Sequence, residues 1–149
     1  MSCVLVIDEY EPFRQTMEFC LPRFGYAALT ARDADEAIRM GAERAIDIVL
    51  LDVGWRWVSG FVICEKLKRE AKFERVPVVI LSAIVNAAME ERARAAGAVE
   101  IVAKPFSWPD LLKVLAQHAL PVAEPGAAPA QNAPGEDRED SQNFEARTN

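Results

Sequence analysis

The stretch IVLLDVGWRWVSG, residues 48–60, runs four apolar residues straight into an aspartate and then into a loop with two tryptophans around an arginine. A short unbroken apolar run of this kind suits a strand buried on both faces. Asp52 then stands where the strand ends. Whether it caps that strand or performs chemistry depends on what the rest of the chain brings to the same edge.

Four more runs have the same character: CVLVI (3–7), AALTA (27–31), PVVILS (77–82) and EIVA (100–103), with DIVLL (47–51) the third in order. Amphipathic stretches separate them. Phe13, Thr16, Met17, Cys20, Leu21 and Phe24 follow helical spacing until Gly25 stops it. Pro12 suits the start of that helix, whereas Pro22 predicts a kink in its last turn. DADEAIRMGAER (33–44) opens with Asp33 and Glu36 at the spacing of a capping box. FVICEKLKREA (61–71), NAAMEERARAAG (86–97) and SWPDLLKVLAQHAL (107–120) supply three further helices. Five strands alternating with five helices predict an α/β domain: a doubly wound, five-stranded parallel sheet with helices on both faces, in three layers.

Composition bounds the function. The 149 residues make one domain with enough chain for a core, and no apolar run approaches the ~20 residues of a membrane-spanning helix. CVLVI is too short for a signal peptide and lacks a basic flank. Cys3, Cys20 and Cys64 are widely spaced among apolar neighbours, the pattern of reduced thiols in a cytoplasmic protein and not of a disulfide framework or zinc site. Residues 121–149 hold Glu124, Glu136, Asp137, Glu139, Asp140 and Glu145 against Arg138 and Arg147, a balance of −4 out of the chain's −6. That Pro- and Ala-rich acidic tail predicts disorder, leaving residues 1–120 as the folded domain. A near-neutral domain with an acidic tail offers no electrostatic footprint for nucleic acid or an anionic membrane.

In folds of this class functional groups gather at the carboxyl ends of the strands. Those ends hold Asp8 and Glu9, Asp52, Ser82, and Lys104 followed by Pro105. A single strand-end carboxylate is ordinarily a cap or a solvated loop residue; five polar groups with complementary chemistry are harder to dismiss. Clustered carboxylates repel and call for a hard divalent cation, and Mg²⁺ takes oxygen ligands while keeping several waters. The pattern fits phosphoryl transfer to a carboxylate, with Asp52 the nucleophile and Ser82 and Lys104 holding phosphoryl oxygens.

Across residues 2–120 the chain resembles the receiver domain of bacterial two-component response regulators, which has a flavodoxin-like architecture. The matching segments are VIDEY, DIVLLD, VSG, VPVVILSA and AGAVEIVAKPF, in that order. The resemblance implies Asp52 as phosphoacceptor, with Asp8, Glu9, Asp52 and the Gly54 carbonyl holding Mg²⁺. It implies Ser82 as the switch hydroxyl, Lys104 pairing with the phosphoryl group, and a cis Pro105. The partners implied are a sensor histidine kinase or histidine phosphotransfer protein, and a protein target on the helix 4–strand 5–helix 5 face. With no output domain after residue 120, it implies a stand-alone regulator that signals by protein contact and turns over no substrate.

Several positions depart from the family pattern. Glu9 stands where an aspartate is usual, Trp55-Arg56 replaces Met-Pro, and Ile101 occupies the switch-aromatic position. Glu9 and Ile101 favour a pseudo-receiver, an interaction module without effective phosphorylation; Asp52, Ser82 and Lys104 oppose it. A haloacid dehalogenase-like phosphatase would want a second acid where Gly54 stands, and a flavodoxin would want a Ser/Thr/Gly-rich loop where DEYEPF stands. Trp55 and Trp57 read as cover for the loop and third helix, Arg56 as solvated or as a counter-charge, and Phe106 as packing. His118, in the last turn of the fifth helix, reads as a cation suited to the helix dipole.

Overall fold

The computed structural model describes residues 1–54 and 57–121, with Gly54 and Trp57–Ser59 described by their backbone alone. The elements run β1 (Cys3–Ile7), α1 (Glu11–Cys20), β2 (Ala27–Ala31), α2 (Ala34–Glu43), β3 (Ile48–Gly54), α3 (Trp57–Arg69), β4 (Val78–Ser82), α4 (Ala87–Ala95), β5 (Glu100–Ala103) and α5 (Trp108–His118). All strands pair in parallel, in the order β2-β1-β3-β4-β5. The direction of winding reverses between β1 and β3, and the crevice there is where such sheets bind ligands.

Strand alternation divides the core in two. Leu5, Ile7, Val49, Leu51, Val53, Val78 and Ile80 face α2, α3 and α4, whose Ala37, Phe61, Cys64, Leu67, Met89 and Ala93 meet them. Val4, Val6, Ile48, Leu50, Val79 and Leu81 face α1 and α5, meeting Met17, Leu111 and Leu115. The doubly wound, three-layer expectation is correct. Cys3 and Cys64 are buried, Cys20 is half-buried, and all three are free thiols; burial pushes the Cys64 thiol up to about 11. Among the described residues no helix is long and apolar enough to cross a membrane.

Three local features differ from the sequence expectation. The first helix does not continue kinked to Phe24. It ends at Cys20 and a 3₁₀ turn, Leu21–Phe24, takes over, because Pro22 has no N–H to continue the α-helical ladder. Gly25 follows at φ +90°, a conformation that costs glycine little. β3 runs past Leu51 through Asp52 to Gly54, and α3 opens at Trp57, so that VSG begins the helix ahead of the apolar run from Phe61. Asp33 caps α2 by accepting from the Glu36 N–H at 2.8 Å, but the Glu36 carboxylate turns to Arg32. Only half of the capping box forms. Trp55, Arg56 and the acidic tail beyond Pro121 lie outside the described residues.

Lys68 is the main polar tie between α3 and the entry to β4. Its ammonium donates to the carbonyls of Phe73 at 3.0 Å, Glu74 at 3.0 Å and Val76 at 2.8 Å. Lys68→Met keeps the aliphatic stem and strands these acceptors at a half-buried turn, so urea unfolding should register a loss of roughly 2 kcal/mol. A change below ~0.5 kcal/mol would mean that water replaces the ammonium at no cost.

Candidate functional site

Alternation carries a consequence for the strand ends. Asp8 shares the parity of Val4 and Val6, Asp52 that of Ile48 and Leu50, and Lys104 that of Val102; these apolar residues belong to the α1/α5 face. The three polar groups therefore emerge on that face, and together with Tyr10, Pro12, Phe13 and Thr16 of the α1 end they line an open cleft of about 380 Å³. Ser82 has the parity of Val78 and Ile80, on the opposite face.

Asp52 lies opposite Leu81, and one step on the β3–β4 register shifts, so that Gly54 lies opposite Ser82. Such an irregularity at a strand end re-aims the side chains beside it. The Asp52 side chain is only 3% exposed, and Lys104 Nζ meets both its oxygens, at 2.7 and 2.9 Å. Lys104 itself is placed by its backbone, whose N–H continues the sheet by donating to Ser82 O at 2.8 Å. A cis Lys104–Pro105 bond follows. Behind it Phe106 packs edge-on against Trp108, which stacks on Phe24, joining the Lys104 loop to the turn after α1. Ser107 caps α5 by accepting from the Asp110 N–H.

Asp8 continues the β1–β2 pairing by donating its N–H to Ala31 O, and its carboxylate accepts from the Tyr10 N–H at 3.1 Å. Burial pushes its pKa up, against the pull of that hydrogen bond; the nearby Asp52 charge raises it further, and Lys104 and Arg14 lower it. Two carboxylates thus face one cleft with one ammonium, bonded to Asp52, an electrostatic setting that favours a further cation.

Not every strand-end group joins this set. Among the described residues no three acidic, histidine or cysteine side chains gather into a ready-made metal cage, and Glu9 does not line the cleft with Asp8 and Asp52. The Ser82 hydroxyl is buried and committed to Ile84, donating to its carbonyl at 2.8 Å and accepting from its N–H at 3.1 Å. Ile101 pairs with Ile80 and packs half-buried against the α2–α4 side of the core. His118 meets Glu100 at 2.6 Å, at the opposite edge of the sheet from Asp52. Two residues escaped the sequence reading. Trp108 carried no spacing signal that separates it from packing; Arg14, an arginine one turn beyond an acidic loop, was a signal of its kind.

A model of the response regulator receiver domain matches residues 4–116. The chain belongs to that family and is a receiver domain of two-component signalling. It is 29% identical over 115 residues to protein PilG of Pseudomonas aeruginosa, covering 77% of this chain and 85% of PilG. It is 31% identical over 121 residues to the phosphate regulon transcriptional regulatory protein PhoB of Rhizobium meliloti, covering 79% of this chain but 53% of PhoB. It spans 41% of a probable transcriptional regulator, ycf27, of Guillardia theta, at 30% identity. Among solved structures, the chemotaxis protein CheY4 of Vibrio cholerae superposes with a TM-score of 0.72 at 26% identity, over 79% of this chain and 98% of that one.

Proposed function

We propose that the domain accepts a phosphoryl group on Asp52 from a phosphohistidine of a sensor histidine kinase or histidine phosphotransfer protein. The observation that carries this reading is the buried Asp52 carboxylate paired to Lys104, with Asp8 on the same open cleft. In the transfer the donor's N–P bond breaks, an Asp52 oxygen forms the new O–P bond, and the imidazole leaves and takes a proton. Lys104 holds the phosphoryl oxygens as they arrive, a task for a fixed, partly desolvated cation. The domain acts as a phosphoacceptor, not as an enzyme that turns over a substrate.

The donor chemistry suits Mg²⁺, which is commonly bound through one or two carboxylates plus waters. Asp8, Glu9, Asp52 and the Gly54 carbonyl are the groups that would hold it. When bound, the ion supplies positive charge against the phosphoryl oxygens. Ser82 would trade its bonds to Ile84 for a phosphoryl oxygen. Ile84 is 49% exposed at the head of α4, so its release would alter the α4–β5–α5 face, where a protein target would dock. The free thiols support a cytoplasmic setting.

The pseudo-receiver reading is favoured by the family departures at Glu9 and Ile101 and by the turning of Ser82 toward Ile84. Incubation of the full chain with a small acyl phosphate and Mg²⁺, read by intact mass, separates the two. One added phosphoryl mass is expected, absent in Asp52→Ala and suppressed by chelating the metal. A wild type that stays unmodified while natively folded would establish the pseudo-receiver.

A further inference from the structure

Arg14 sits in the first turn of α1, where the helix dipole disfavours a cation. Its guanidinium reaches back to donate to Asp8 O at 2.7 Å and Glu9 O at 3.0 Å. The helix gains no cap from this arrangement, and Tyr10 at the N-cap position makes no side-chain capping bond either. What the two bonds do is fix the peptide planes on both sides of Glu9. The same short segment presents the Tyr10 N–H to the Asp8 carboxylate, so the direction of that carboxylate depends on this backbone.

We propose that Arg14 is a positioning residue for the acidic loop, holding its backbone so that the Asp8 carboxylate opens on the cleft beside Asp52. This rests on the phosphoacceptor reading for its consequence, Mg²⁺ binding, and on hydrogen bonds alone for its geometry. The sign of the effect separates it from simple electrostatics. Arg14 is a cation near the Asp8 carboxylate, and deleting a cation tightens the binding of another if nothing moves. A positioning role predicts the reverse, since partners that orient metal-binding groups are worth about 10–100-fold in affinity.

The experiment titrates Mg²⁺ into the metal-free full chain by calorimetry, and follows the exchange of the Tyr10 amide in the same metal-free protein. Arg14→Ala should weaken Mg²⁺ about tenfold and speed Tyr10 exchange, with phosphorylation recovering at saturating metal. Arg14→Lys should restore most of both, because an ammonium also donates to two carbonyls. Unchanged or tighter Mg²⁺ binding by a natively folded Arg14→Ala would overturn the inference, whatever its melting temperature. If the wild type itself binds no Mg²⁺, the phosphoacceptor reading fails, and the Tyr10 amide alone decides: faster exchange in Arg14→Ala supports positioning, unchanged exchange ends it.

Discussion

Lys104→Met should lower the rate at which Asp52 is phosphorylated by about 10²–10³-fold, while tightening Mg²⁺ several-fold. The rate falls because the Lys104 ammonium, 2.7 Å from an Asp52 oxygen, is the fixed cation on the side of the cleft where phosphoryl charge develops; removing one such preorganised donor costs on this scale. Affinity for Mg²⁺ rises because the ammonium competes with the metal for the same two carboxylates. Stability should also fall. The Asp52 side chain is 3% exposed and keeps Asp8 as a like-charged neighbour. Lys104 is 26% exposed, so the loss should be roughly 2–3 kcal/mol, short of that for a fully buried pair. Stopped-flow phosphorylation with a small phosphodonor gives the rate, calorimetry the affinity. If Mg²⁺ binding weakens together with the rate, Lys104 holds the site in shape and the transfer role assigned to it is wrong.

Gly60→Ala should cost at least about 3 kcal/mol, and the midpoint of thermal unfolding should drop by roughly 10 °C. A Cβ at Gly60 would lie 1.9 Å from Val53 Cγ1 and 2.6 Å from Val53 Cβ. Neither side yields easily. Val53 is β-branched and 6% exposed, pinned between Asp52 and the register shift in β3. Retreat of the helix start would pull Phe61 and Cys64 out of the core they share with Val53. The double variant Gly60→Ala/Val53→Ala should be more stable than Gly60→Ala alone, although Val53→Ala removes buried methyls, because the two positions share one space. Phosphorylation should slow in the single variant as well, since whatever displaces Val53 moves Asp52. A loss under ~1 kcal/mol would show that α3 does not press on β3 this closely. The glycine of VSG is therefore a packing requirement under the phosphoacceptor, which the sequence displays only as a motif.

The five strands, the helices between them, the burial of both sheet faces, and the edge at which Asp8, Asp52, Ser82 and Lys104 emerge were legible in the order of residues alone. These are local properties: apolar runs, helical spacing and turn residues act over a few positions. Tertiary structure decided the rest. It extended β3 through Asp52, brought Lys104 onto both Asp52 oxygens from 52 residues away, and turned the Ser82 hydroxyl onto Ile84. It also drew Asp8 into the cleft without Glu9, and set Arg14 against the loop carbonyls. Each of these depends on register between strands distant in sequence, or on which of several nearby acceptors a flexible polar side chain finds. A residue's type and spacing state what it can bond, but only the packed neighbours determine what it does bond.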